Sequence, residues 1–297
     1  MGKVDLHIHS CISDGKYTPA EFVQKAAEAG LLVMALTDHD NVDGIPQALQ
    51  AARRFPSLMV IPGVEISTEE PDMEVHVLGY FIDYKNPELL AALEKSRDSR
   101  VQRAKGMVER LAVLGMPVEW KRVQEIAGEG SIGRPHIAQA MLEKGYIATV
   151  REAFEKYIAL GGPAYVERIK TTPAEAVRLI LRAGGLPVLA HPLTGLPIRP
   201  EGETVTHGAA PREPEALIAR LKESGLVGIE AHFKYNPEQI RALCALANKY
   251  GLICTGGTDY HGLDENVETP MGGTNVPLSA AEKLIALAQL RAKPPVC

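Results

Sequence analysis

The chain has 297 residues, 45% hydrophobic and 23% charged, with a formal net charge of −5. That length buries a core for one large α/β domain or two smaller ones, and the acidic balance argues against a protein that grips duplex DNA by bulk electrostatics. No apolar run approaches membrane-spanning length, and MGKVDLHIHS enters a strand without a signal-peptide pattern, so no membrane partner is expected and the expected compartment is the cytoplasm.

In chain order, VDLHIHSCISDG opens as a strand in which His7 and His9 share one face while Leu6 and Ile8 share the other. Taken alone, such a pair is as readily two core or surface histidines as a metal site. TPAEFVQKAAEAG follows as a helix, with Thr18 placed to cap it, Pro19 in its first turn and Gly30 at its end. LLVMALTDHD is the next strand, VDGIPQALQAARRF the next helix, and LMVIPGVEIS and MEVHVLGYFIDY give two further strands.

Between about residues 86 and 165 helical patterns succeed one another without a convincing strand. The expectation is a barrel domain, 1–85 and 166–297, carrying a helical insertion, 86–165, that contributes to a substrate pocket. From 85 to 165 the chain holds 13 Lys and Arg against 10 Asp and Glu, a positive balance in an acidic chain. Most of that charge reads as a solvated helix face; a part of it facing phosphate is the sharper reading. Beyond the insertion the alternation resumes: TTPAEAVRLILRAGG then LPVLAHP, PREPEALIARLKESG then LVGIEAHF, NPEQIRALCALANKYG then LICTGGTDYHG. Residues 193–214, rich in Pro, Gly and Thr, read as a long loop of the kind that forms lids. The whole is an α/β fold with a mostly parallel sheet. Cys11, Cys244, Cys254 and Cys297 show no disulfide spacing and suit a reducing compartment, with Cys11 a spectator thiol.

The strand candidates end alike. His7, His9 and Asp14 follow the first, His39 the second, Glu65 the third and His76 the fourth; His191 and then Asp259 and His261 close later ones. In a β/α barrel the strand ends share one rim, so nine metal-competent side chains would converge there. Six of the nine histidines fall in this set. So many buried imidazoles and carboxylates are too costly without compensation, which bound cations would supply.

DLHIHSCISDG, ALTDHD, GVEIS, HVLGYF, AHP and GGTDYHG resemble the successive motifs of the PHP (polymerase and histidinol phosphatase) family of metal-dependent phosphoesterases. GRPHIA and GGPAYV resemble the inserted region of the branch that holds nucleoside 3′,5′-bisphosphate phosphatases and 5′-to-3′ exoribonucleases. Thr258 stands where that family usually has Ser before the Asp, which keeps the hydroxyl. The resemblance implies a distorted seven-stranded β/α barrel with two to three divalent metals. It implies His7, His9, Glu65 and Asp259 on one metal, Glu65, His76 and His191 on a second, and Asp14, His39 and His261 on a third. Imidazole and carboxylate without thiolate suit Mn, Zn or Fe better than Ca or Mg.

The implied reaction is attack of metal-bound hydroxide on phosphorus, with Glu65, His191, Asp259 and Arg134 at the reaction. Substrate contacts are expected from Arg134 to a second phosphate, from Ser131, His136 and Lys170, and from His232, which with His207 is a candidate general acid. The plainer alternative for Arg134 is an ion pair with a neighbouring carboxylate. The favoured substrate is a small phosphorylated nucleotide, losing the 3′-phosphate of a nucleoside 3′,5′-bisphosphate. The nearest rival is a 5′-to-3′ exoribonuclease acting at a short RNA end with a 5′-phosphate. Amide or ester hydrolysis, and a metal-binding module without catalysis, are rivals of other classes. The sequence assigns no oligomeric state.

Overall fold

The computed structural model of the protein describes residues 3–70, 73–128, 132–159, 161–167, 171–194, 214–264 and 267–292. Strands β1 (Lys3–Ile8), β2 (Leu31–Leu36), β3 (Met59–Glu70), β4 (Met73–Tyr80), β5 (Leu186–Leu189), β6 (Gly228–His232) and β7 (Ile253–Gly256) form one sheet in sequence order. Helices α1 (Pro19–Glu28) and α2 (Ile45–Ala52) connect the first three strands; α7 (Pro173–Arg182) precedes β5, and α8 (Pro214–Glu223) and α9 (Pro237–Lys249) connect the last three. Helix α10 (Leu278–Ala292) closes the described chain. Between β4 and α7 lie α3 (Pro87–Val113), α4 (Trp120–Ala127), α5 (Arg134–Glu143) and α6 (Val150–Ala153), the last continuing as a wider turn over Phe154–Ile158.

Local chemistry sets the helix starts. Thr18 accepts from the Glu21 amide while the Glu21 carboxylate takes the Thr18 amide, and Thr172 and Glu175 repeat the arrangement at α7. Helix α1 stops at Ala29, and Gly30 takes a φ of 75° that a side chain would resist.

The sheet is mixed, with β1, β2 and β3 parallel, β4 antiparallel to both its neighbours, and β5, β6 and β7 parallel again. Only two residues separate β3 from β4, too few for the crossover that a parallel partner needs. The sheet curls on itself. The Tyr80 hydroxyl of β4 donates to the Leu6 carbonyl of β1 at 3.0 Å although the two strands are not neighbours, and Leu6, Val33, Leu78 and Val188 join Leu284 of α10 in one cluster. Closure comes through Tyr260, which makes a parallel bridge with Ile8 and receives the His9 amide at 3.0 Å. Gly257 allows that approach, since a Cβ there would lie 2.4 Å from the His7 Cβ.

The helices between β4 and α7 have a core of their own, in which Met107 and Leu111 of α3 meet Val123, Ile137 and Met141. One sequence expectation fails. Cys244 of α9 and Cys254 of β7 are joined by a disulfide, their Cα atoms 5.7 Å apart. Spacing along the chain concealed it, because the helix and the strand turn back to back between the two residues. Cys11 is a thiol and half-buried, and Cys297 lies outside the described residues. Among the described residues no helix is long and apolar enough to cross a membrane.

Candidate metal centre

Strand alternation puts the His7 and His9 rings on one side of β1, their centroids 5.0 Å apart and both residues fully buried. The chain then turns sharply. Ser10 donates to Asp38 through its amide and its hydroxyl, both at 2.7 Å, and Ser13 adds a third bond at 2.8 Å. Gly15 completes the turn where a Cβ would overlap the His9 carbonyl. Asp14 is thereby folded back over the rim, with one oxygen 3.3 Å from His261 and 3.9 Å from His9, and the other 3.9 Å from His39.

Glu65, from the middle of β3, lies at the centre. Its Oε1 faces His76 at 2.9 Å and His191 at 3.0 Å, and its Oε2 faces His7 at 3.1 Å, His9 at 3.2 Å and His39 at 3.0 Å. His76 comes from the N-terminal half of β4 rather than from a C-terminal strand end; the antiparallel direction of β4 delivers it to the same rim. Asp259 approaches from beyond β7, one oxygen 3.1 Å from His9 and 3.5 Å from His7. Its φ of 51° and that of His191, 22°, place both residues in strained backbone where the rim is assembled.

All nine rim candidates are therefore together. Three sets of donors lie close enough to share an ion: His7, His9, Glu65 and Asp259; His9, Asp14, His39 and His261; and His39, Glu65 and His76. His7 Nε2, both His9 ring nitrogens, His39 Nδ1, Asp14 Oδ1 and Glu65 Oε2 are buried without a hydrogen-bond partner. Buried polar atoms left this way cost free energy unless something else satisfies them. Their nitrogen and oxygen chemistry fits divalent transition metals, and the fit to two or three such ions is good.

The charges are correspondingly tense. Burial opposes the Glu65 carboxylate, yet His39, His7 and His76 hold it well below the usual carboxylate range. Burial also opposes protonation of His9, but Asp259 and Glu65 outweigh it and lift that imidazole to about 10. At His39 burial wins and takes the ring down to about 3, against Glu65 and Asp14. Cations in place of protons would satisfy both rings as neutral ligands.

Behind the rim stand groups that the sequence reading missed. Glu230, fully buried on β6, accepts from His7 Nδ1 at 3.1 Å and from the His191 amide at 2.8 Å, fixing the His7 ring with Nε2 toward the centre. Asp5 receives the Thr258 hydroxyl at 2.6 Å and the Thr258 and Gly272 amides, anchoring the segment that carries Asp259. The only local signal is a carboxylate inside a short apolar strand, as in GIEAH and VDLHIH.

A cavity opens from Asp14, His39 and His76 to a wall formed by α3 and α5. Arg100, Arg103 and Arg134 line that wall, and each is engaged. Arg100 reaches Asp40 at 2.6 Å and the Ser67 hydroxyl; Arg103 reaches Glu74 at 2.7 Å; Arg134 pairs with the other oxygen of Glu74 and lies over the Phe154 ring, 5.4 Å from its centre. Burial opposes the Glu74 carboxylate, but Arg134 and Arg103 hold it far below its ordinary range. His136 does not line the cavity; its Nδ1 accepts the Gly133 amide at 3.0 Å and caps α5. Nor does His232, whose Nε2 lies 3.9 Å from Cys244 Sγ. Ser131, Lys170 and His207 lie outside the described residues.

Residues 5–146 match the PHP domain family. The chain is 32% identical over 259 residues to the 5′-3′ exoribonuclease Rnm of Salmonella typhimurium, covering 86% of this chain and 84% of the relative. It is 32% identical over 268 residues to the 3′,5′-nucleoside bisphosphate phosphatase of Chromobacterium violaceum, covering 88% of each. A solved structure of an amidohydrolase from Chromobacterium violaceum, with bound sulfate and no metal, superposes with a TM-score of 0.80 at 30% identity, over 91% of this chain and 90% of that one.

Proposed function

Since the chain belongs to the PHP domain family, and is thus a metal-dependent hydrolase of phosphoester bonds on small phosphorylated nucleotides or RNA, we propose that it is a 5′-to-3′ exoribonuclease acting on short 5′-phosphorylated RNA. One observation carries this reading: a single cavity has Asp14, His39 and His76 of the rim on one side and Arg100, Arg103 and Arg134 on the other. Such a cavity suits a substrate with two phosphates held apart by a nucleoside. The 5′-phosphate takes the arginine wall, and the phosphorus on the 3′-oxygen lies at the rim.

A nucleoside 3′,5′-bisphosphate presents the same two groups and differs only in that its 3′-phosphate carries no further nucleotide. It is the second reading, and on this geometry it is the shortest member of the same substrate series. The likeness to the exoribonuclease and to the bisphosphate phosphatase supports both.

His7, His9, Asp14, His39, Glu65, His76, His191, Asp259 and His261 would hold two or three ions of the Mn, Zn or Fe class. When bound, these supply Lewis acidity toward water and toward the phosphoryl oxygens. The protein's own groups do the rest. Glu65 keeps two sets of donors at a fixed spacing, and Asp5 and Glu230 hold the ligands from behind. Arg134 gives up part of its pairing with Glu74 to bind the 5′-phosphate in a planar, two-pronged contact, and helices α3 and α5 form the substrate wall.

The test is product analysis on a 5′-phosphorylated tetranucleotide, the same oligonucleotide with a 5′-hydroxyl, and a nucleoside 3′,5′-bisphosphate. Release of 5′-mononucleotides in order from the phosphorylated end is expected, with little reaction at the 5′-hydroxyl end. Hydrolysis of the bisphosphate with the phosphorylated tetranucleotide left intact would make the second reading the correct one.

A further inference from the structure

Outside the rim, one other group of metal-competent side chains converges among the described residues: His232 at the end of β6, Cys244 on α9 and Cys254 on β7. Their ligand atoms all lie within 4.8 Å of one another, and none of the three residues is fully buried. The His232 imidazole faces the sulfurs, with Nε2 3.9 Å from Cys244 Sγ, and has no other hydrogen-bond partner among the described residues. Burial moves this ring toward its neutral, ligating form. Two sulfurs and one imidazole are a softer donor set than anything at the rim, where all candidates offer nitrogen or oxygen.

We propose that His232, Cys244 and Cys254 form a second, thiolate-based site for zinc or another thiophilic ion, closed by the Cys244–Cys254 disulfide and opened by its reduction. A dithiol reductant delivers two electrons and two protons, breaks the S–S bond and leaves as its own disulfide. The ion then displaces the two thiol protons and is held by two thiolates and Nε2, with a fourth position left to water on the open side. Cα atoms 5.7 Å apart are within reach of one ion between the sulfurs, at about 2.3 Å from each.

The position gives the site a mechanical meaning. It ties α9 to the ends of β6 and β7, directly behind the rim. The His232 carbonyl accepts the Gly257 amide at 3.1 Å, two residues before Asp259, and the neighbouring Phe233 ring lies 5.6 Å from His191. The site therefore fastens the strand ends without contributing to the reacting centre.

Cobalt(II) is the probe, because only thiolate ligation gives its ultraviolet charge-transfer band and the rim holds no thiolate donor. Full-length protein reduced with a dithiol, then freed of it under exclusion of air, should take up one more equivalent of cobalt than the oxidised protein and develop that band. Cys244→Ser and Cys254→Ser should each lose the band and the extra equivalent while retaining phosphoester hydrolysis, which also reports that the variants fold. Absence of the band in reduced protein would overturn the site, as would a band that survives when Cys244→Ser and Cys254→Ser are combined and so belongs to Cys11. Hydrolysis is read separately, so failure of this site and failure of the proposed reaction are distinguishable.

Discussion

The rim and the arginine wall face each other across one cavity and handle charge in opposite ways. At the rim, donors of one kind crowd together: Glu65 Oε2 has three imidazole nitrogens within 3.2 Å, and six buried polar atoms have no hydrogen-bond partner. On the wall the arginines lie against groups that already satisfy them, Arg100 against Asp40, Arg103 and Arg134 against Glu74. An under-satisfied site gains by taking up a cation. A satisfied one can only exchange an internal carboxylate for an outside anion. Metal should therefore bind with a large driving force at the rim, and phosphate with a small one at the wall.

Removing the shared carboxylate breaks that contrast most severely. Glu65→Ala should lose metal from two sets of ligands together and lower hydrolysis by about 10³-fold or more, with the fold retained. Elemental analysis beside circular dichroism checks it, and full metal content would remove the bridging role. Asp14→Ala comes next. Asp14 stands nearest His261 and away from Glu65, so the variant should keep about two metals per chain and fall by roughly 10²-fold. Loss of the His7 and His9 ion first would overturn this division of the ligands.

On the wall the expected losses are smaller and depend on the substrate. Arg134→Ala should weaken turnover of 5′-phosphorylated substrates by about 10- to 100-fold, the worth of one charged hydrogen-bonded contact, and leave a 5′-hydroxyl substrate unchanged. Equal losses on both would place Arg134 outside the phosphate site. The smallest effect sharpens the comparison from behind the rim. Glu230→Gln keeps the volume and one acceptor facing His7 Nδ1, so metal affinity should fall only about tenfold, and Glu230→Ala should cost more. Competition with a calibrated chelator measures both, and identical affinities in the two variants would deny Glu230 its orienting part.

Much of the rim was legible in the chain. HxH on a strand, and His, Asp or Glu at the close of successive apolar runs, are local patterns, and local patterns survive without a fold. The alternation of strands and helices, the helix cap at Thr18 and the long helical stretch after β4 are of the same kind. They depend on backbone sterics, side-chain alternation and capping, all of which act within a few residues.

What the chain concealed depends on partners far apart in sequence. Glu230 meets His7 across 223 positions, Asp5 meets Thr258 across 253, and Arg103 and Arg134 meet over Glu74 from two helices. No periodicity marks such pairs, since each half looks like an ordinary charged residue in its own segment. The same holds for Cys244 and Cys254, which the ten-residue spacing presents as unrelated and the packing of α9 on β7 brings into bonding distance. The sequence by itself determined which side chains can bind metal and on which strands they sit. Only the tertiary structure decided which of them lie close enough to share an ion, which carboxylates hold them in place and which arginines face them, because coordination and hydrogen bonding depend on distances of a few ångströms that exist only once the sheet has closed through Tyr260.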